Sequence, residues 1–270
     1  MSAAVQPSAW AAHLSLGFCR SGTKTVLAHR SQEGPLVVQR PLYPEGEEVC
    51  HAIVVHPPGG IAGGDDLRLN VNAGAHAAAV LTTPGAGKWY RSAGPWARQK
   101  LRFDVAGTLE WLPRETIVFD GALASLESEV RLTGAARYIG WEIVCLGRSG
   151  SGERFAKGTL LLQIRVTRNE KLLWMERGEL EGAGALMRSP VGLAGKVVFG
   201  TMVAAAPSFD TALVNQSRKV AATTALPGLL IARYLGDSTE EAFDRFRSLW
   251  CLLRPAVAGR EAVEPRIWST

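Results

Sequence analysis

Between His56 and Asp66 the chain reads HPPGGIAGGDD, with four glycines in six positions ahead of two adjacent carboxylates. A glycine-rich loop after an apolar run, here Ala52 to Val55, is the usual place to look for a phosphate cradle. This loop fits neither phosphate pattern. A dinucleotide loop needs G-x-G-x-x-G opening a helix, whereas the glycines fall at Gly59, Gly60, Gly63 and Gly64 and the next segment alternates like a strand. Gly59 and Gly64 have the spacing of the other pattern, but Asp65 and Asp66 stand where it places lysine and a hydroxyl, and carboxylates repel phosphate. What remains is a turn that delivers two aspartates to the start of a strand. Alternation from Leu67 points Asp65 inward with Leu67 and Leu69, and Asp66 outward with Arg68. An inward aspartate must be hydrogen-bonded, paired or beside water. Capping the turn's own amides would satisfy it, and so would a water-filled space.

Other chemistry finds little support. The five histidines, His13, His29, His51, His56 and His76, form no H-E-x-x-H and no tight pair. His51 and His56 lie an odd number of residues apart, which predicts opposite strand faces. No tight structural zinc site is visible, although spacing leaves a loose carboxylate–histidine site open. No G-x-S-x-G elbow exists; GRSGSGE around Ser149 and Ser151 is the nearest stretch. Asp65, Glu110, Glu115 and Glu142 could supply an acid–base pair, as in any chain of this size. Glu110 and Glu142 both flank a tryptophan, in LEWLP and GWEIV, and the spacing reads them as outward residues on strands.

The elements that must position these groups are mostly strands. Period-two alternation places Trp10, Ala12, Leu14, Leu16 and Phe18 on one face, and likewise Leu67, Leu69, Val71 and Ala73. Leu101, Phe103 and Val105 repeat the pattern, as do Leu160, Leu162, Ile164 and Val166. Turn-forming stretches such as PEGE, PGAG, AGPW, RSGSGE and TRNE separate them. The C-terminal fifth changes character. Ser238 with Glu241 forms a capping box, and Ala242, Phe246, Leu249, Trp250 and Leu253 follow at helical spacing, with Pro255 expected to end the helix. A weaker helix is expected over 210–220, then two short strands around the Pro-Gly of TTALPGLLIARYL. With no repeat and no long linker, residues 1–270 read as one mainly β domain, strand-rich over 10–206 and helix-containing over 207–270.

Composition bounds the partners. Of 270 residues, 47% are hydrophobic and 20% charged, ordinary for a soluble globular protein. No apolar run is long enough to span a bilayer. The N-terminal MSAAVQPSAW lacks the basic and apolar parts of a secretion signal. Cys19, Cys50, Cys145 and Cys251 are scattered, so a reduced cytoplasmic setting with free thiols is expected. The net charge of +5 raises nucleic acid as a partner, and Lys88, Arg91, Arg98, Lys100 and Arg102 are interleaved with Trp89, Tyr90 and Trp96. The simpler reading of that segment is a solvated strand face whose aromatics turn inward. A mildly basic chain equally suits an acidic protein partner.

Longer motifs carry a resemblance that periodicity cannot. In order they are GTKTVL from Gly22, GPLVVQRPLYPEG from Gly34, HPPGGIAGGD from His56, TTPGAGKWYRS from Thr82 and LEWLPRETIVFDGA from Leu109. WEIVCLGRSGSGE from Trp141 and LRPAVAGREAVEPRIW from Leu253 complete the set. Over nearly its whole length the chain resembles the D-type urease accessory proteins (UreD, also called UreH). The resemblance implies a non-enzymatic scaffold with an irregular, β-helix-like stack of sheets and about two helices near the C-terminus. It implies binding to apo-urease, recruitment of the F-type accessory protein (UreF) and, through it, the G-type GTPase (UreG). Nucleic acid and membrane are not implied partners. No tightly bound cofactor is implied; nickel would be cargo in transit through a water-filled passage. Asp65, Glu142 and Glu176 match acidic positions that the family associates with that passage. Spaced carboxylates suit a cation that must be released again, whereas a Cys/His cage would hold nickel. One departure is Gly87 before Lys88, where many members of the family carry a small hydroxyl residue. The stretch 190–200, PVGLAGKVVFG, is generic and implies no function.

Overall fold

The computed structural model describes residues 9–269. Two sheets face each other. The first runs, in spatial order, β14 (Lys171–Glu181), β13 (Thr159–Arg168), β11 (Leu123–Leu132), β8 (Ala97–Val105), β5 (Asp66–Ala73), β1 (Ala11–Ser21) and β2 (Lys24–Glu33). The second runs β16 (Ala222–Leu226), β17 (Leu229–Gly236), β15 (Val198–Ala205), β12 (Arg137–Leu146), β9 (Thr108–Leu112), β6 (Ala78–Thr82), β4 (Val49–Val55) and β3 (Val37–Val38). Two short strands, β7 (Gly87–Trp89) and β10 (Thr116–Val118), join it beside β12.

From β4 onward the chain alternates between the sheets, laying β5, β8, β11 and β13 on the first and β6, β9 and β12 on the second. Every neighbouring pair in these two series is parallel. This is a wound, β-helix-like stack closed by antiparallel hairpins. The short turns stack as well: Ala106 N donates to Ala73 O, Thr133 N to Val105 O and Asn169 N to Leu132 O, at 2.8, 2.8 and 2.9 Å. The longer connections of the winding, 56–65, 83–96, 113–122 and 147–158, lie at the opposite edge, where the chain returns from the second sheet to the first.

The first sheet has one covered face, so its strands alternate. Leu14, Leu16 and Phe18 of β1, Leu67 and Leu69 of β5 and Phe103 of β8 are buried between the sheets. The second sheet is covered on both faces. Tyr138, Val144 and Leu146 of β12 face the first sheet, while Ile139, Trp141 and Ile143 face the helices. Strands buried twice read as continuous apolar runs rather than as alternation.

Among the described residues, three α-helices follow the strands or interrupt them: α1 (Ala185–Arg188), α2 (Thr211–Val220) and α3 (Thr239–Ala258). Asp210 caps α2 by accepting from Ala212 N, and Ser238 caps α3 by accepting from Glu241 N at 3.1 Å. The stripe Ala242, Phe246, Leu249, Trp250 and Leu253 is wholly buried against the second sheet.

Two expectations fail locally. Trp10 precedes β1 and is 50% exposed, because its amide is drawn to Asp65 and not into a ladder. Pro255 does not end α3, which continues to Ala258 and stops at Gly259 with φ 73°. A proline removes one donor and crowds the carbonyl four residues back, but here the turn beyond it is held from both sides. Val257 is fully buried there, and Arg137 Nη1 donates to the carbonyls of Ala256 and Val257 at 3.0 and 2.9 Å.

Candidate functional site

The parity of β12 decides the site. Because Tyr138 and Val144 face the space between the sheets, Glu142 does too. Thr201 is its partner on β15, and Arg233 is the partner of Thr201 on β17. On the other side of Glu142, Thr116 of β10 donates its hydroxyl to Glu142 Oε1 at 2.6 Å. A file of polar side chains, Thr116, Glu142, Thr201 and Arg233, thus crosses the second sheet beneath the first. Glu176 descends onto it from β14: Arg233 Nη1 donates to Glu176 Oε1 at 2.5 Å, and Thr201 Oγ1 donates to Glu176 Oε2 at 3.3 Å.

Two cavities flank Glu142. The larger, about 300 Å³, is walled by His56, Gly60, Lys88, Trp111, Thr116 and Glu142 among others. The smaller, about 30 Å³, is walled by Ser128, Glu142, Gln163, Glu176 and Thr201 with apolar neighbours. Leu162 and Ile164 border this second space, which is why they are only partly buried although their strand face points inward. Glu142 is therefore the wall common to both. Burial pushes its pKa up to about 7, against the opposing effect of the Thr116 hydrogen bond.

The glycine loop forms part of the larger cavity's rim. Ile61 N donates to Lys88 O at 2.7 Å and Tyr90 N to Ile61 O at 2.9 Å, so the loop is sewn to the segment 88–90. A Cβ on Gly60 would lie 2.1 Å from the Tyr90 ring, and Gly64 has φ +101°. The glycines are there for close approach and a left-handed turn. Asp65 is 4% exposed, and its two carboxylate oxygens accept from Trp10 N and Ala62 N, both at 2.8 Å. It caps the turn. Asp66 faces outward and holds Arg68 at 2.9 Å, which lowers its pKa.

Of the three acids singled out in the sequence, the fold brings Glu142 and Glu176 to one cavity and leaves Asp65 at the foot of the loop, outside the lining of both spaces. Nearby, His56 lines the larger cavity, and its buried Nε2 has no hydrogen-bond partner. Burial lowers its pKa despite the charge of Asp65. A Cβ added at Gly87 would come within 4.0 Å of Thr116 Oγ1. Thr116 thus supplies a hydroxyl in the neighbourhood where Gly87 has none.

A second cluster was not legible. Glu110, expected outward, is 2% exposed and accepts from Arg254 Nε at 3.0 Å and Trp250 Nε1 at 2.5 Å. Arg254 is fully buried, donates through Nη2 to Glu45 at 2.7 Å, and Glu45 accepts in turn from His51 Nε2 at 2.5 Å. The reversal has a plain cause: α3 brings a guanidinium to the covered outer face of β9, and a buried carboxylate is tolerable once paired. Only the helical spacing of Trp250 and Arg254 hinted at it. Among the described residues, no three His, Cys, Asp or Glu side chains converge as a metal-holding group. The basic segment is laced with acids, Lys100 to Glu127 at 3.4 Å, Arg102 to Asp104 at 3.0 Å and Arg91 to Asp120 at 3.5 Å, while Trp89 is buried. No helix among the described residues is long and apolar enough to cross a membrane.

A wound pair of β-sheets with a file of acids and hydroxyls between them, covered by C-terminal helices, defines a mainly β protein of stacked sheets. The chain belongs to the family described as UreD urease accessory protein, whose pattern matches residues 11–269. It is 54% identical over 275 residues to the urease accessory protein UreD of Azoarcus sp. (strain BH72), covering 99% of this chain and 96% of that protein. Identity to the UreD of Dechloromonas aromatica (strain RCB) is 52%, covering 97% and 95%. With that of Pseudomonas aeruginosa (strain PAO1) it is 50%, covering 97% and 96%.

Proposed function

We propose that this chain is a scaffold for urease maturation. It would bind apo-urease in the cytoplasm, recruit the F-type accessory protein and through it the G-type GTPase, and let nickel pass through its own interior. The observation that carries the passage is Glu142, which walls both cavities and faces Glu176 across the smaller one. Nickel would move from the larger cavity past Thr116 and Glu142 to Thr201 and Glu176, meeting an oxygen ligand at each step. Near pH 7 Glu142 is about half protonated, so a cation binding there would displace a proton. The competing proton weakens binding further as pH falls below 7, which favours release. Asp65 has a different part in this reading: it shapes the entrance loop and binds no nickel.

The test uses cells expressing apo-urease with its F-type and G-type helpers. Glu142→Gln/Glu176→Gln in this chain should leave the complex able to co-purify while urease nickel content falls at least ten-fold. Asp65→Asn should lower the amount of folded protein and complex together. Full nickel loading by the double variant would leave a purely structural scaffold with no conduit.

A further inference from the structure

Arg233 is the one cation seated in the polar file. Its guanidinium is held from three sides: Nη1 donates to Glu176 Oε1 at 2.5 Å and to Thr201 Oγ1 at 2.8 Å, and its Cζ lies 5.7 Å from the centroid of the Trp174 ring. With Thr201 donating to the second oxygen, both oxygens of Glu176 are occupied. The cavity between Glu142 and Glu176 has about 30 Å³, space on the order of one or two waters and too little for a fully hydrated divalent ion. An ion reaching Glu142 would have to shed water and find a second carboxylate, and the only acid across the cavity is already neutralised. The side chain of Arg233 is nevertheless 42% exposed, so it can leave by rotating about its own bonds, with no movement of the sheet.

We propose that Arg233 is the gate of the interior passage, closing it by pairing with Glu176 and opening it by swinging out to solvent. The closed state is the one described above. In the open state Glu176 carries an uncompensated charge, the guanidinium no longer repels a divalent cation, and Thr201 is released as a further oxygen ligand. This rests on the passage reading and adds what controls it. Arg233 is a positioning residue, since it acts on the cation through Glu176.

The test is Ni²⁺ binding to the purified full chain by equilibrium dialysis at pH 7.5. Arg233→Gln should bind Ni²⁺ about ten-fold more tightly than the unaltered protein, and Arg233→Gln/Glu176→Gln should lose that gain. Equal affinity in Arg233→Gln and the unaltered chain, or a gain that survives the second substitution, overturns the gate. If Arg233→Gln does not fold, Trp174→Leu takes its place: it removes the ring beside which the guanidinium rests and leaves every proposed oxygen ligand intact. A several-fold gain is expected, and none refutes the gate. The passage itself is judged separately by nickel loading of urease with Glu142→Gln/Glu176→Gln, whose failure or success does not depend on either binding result.

Discussion

Glu142 shows how one residue's setting becomes measurable. Its folded pKa of about 7 lies above the ordinary 4.5, so between those values the folded chain holds a proton that the unfolded chain has released. Stability tied to this group is complete below pH 4.5 and is lost as pH rises through 7. The ceiling of the effect is about 3 kcal/mol. Glu142→Gln, which still accepts from Thr116, should therefore match the unaltered protein at pH 4.5 and exceed its stability by up to about 3 kcal/mol at pH 8. Urea denaturation of both proteins at the two pH values decides it, and a pH-independent difference would mean that Glu142 is not held in a low-dielectric setting.

At the scale of the element, α3 is held by more than its apolar stripe. Arg254 joins Glu110 on β9 and Glu45 before β4, so that one side chain ties the helix to two parts of the second sheet's side. The Trp268 ring packs on Trp141, Phe243 and Trp250 and donates to Thr82, pinning the last turn of chain over the same helix. Removing the cation would leave buried Glu110 with only the Trp250 N–H and Glu45 with only His51, a loss of the central charge that costs about 3–5 kcal/mol. Arg254→Met should lower the unfolding free energy by that amount in urea titration, and a loss under about 1 kcal/mol would make the network incidental. The N-cap and stripe of α3 were legible because both are local: Ser238 reaches Glu241 N within one turn, while the Glu241 carboxylate turns to Tyr234 and Arg245 instead of completing the box. Its true end was not, because the turn past Pro255 depends on Arg137 from a distant strand.

For the whole molecule, stability rests on turns that stack in register so that each coil lies on the last. Gly107 sits at one of the tight points: a Cβ there would lie 2.3 Å from Ala77 O and 2.5 Å from Gly74 O, atoms of the turn beneath it. Backbone cannot yield as a flexible side chain can. Gly107→Ala should lower stability by about 2 kcal/mol or more, seen as a lower melting temperature, and an unchanged one would show that the coils have slack. The polar file depends on the same registration, because Glu142, Thr201 and Arg233 align only if β12, β15 and β17 pair as they do.

What the sequence determined by itself is whatever one-sided burial writes into it. Strands of the first sheet alternate because one face is wet, and α3 shows its stripe because one side is dry. The inward direction of Asp65 was likewise legible, since it followed from alternation at the start of its strand. The family resemblance carried the wound sheets and singled out Glu142 and Glu176. Only the tertiary structure decided which acids meet. Arg254 lies 144 residues from Glu110, and Arg233 lies 57 from Glu176. On the second sheet, covered on both faces, alternation is lost among apolar neighbours, and a buried carboxylate is admitted only where folding brings it a partner. That partner comes from another strand or helix, so spacing along the chain carries no record of it.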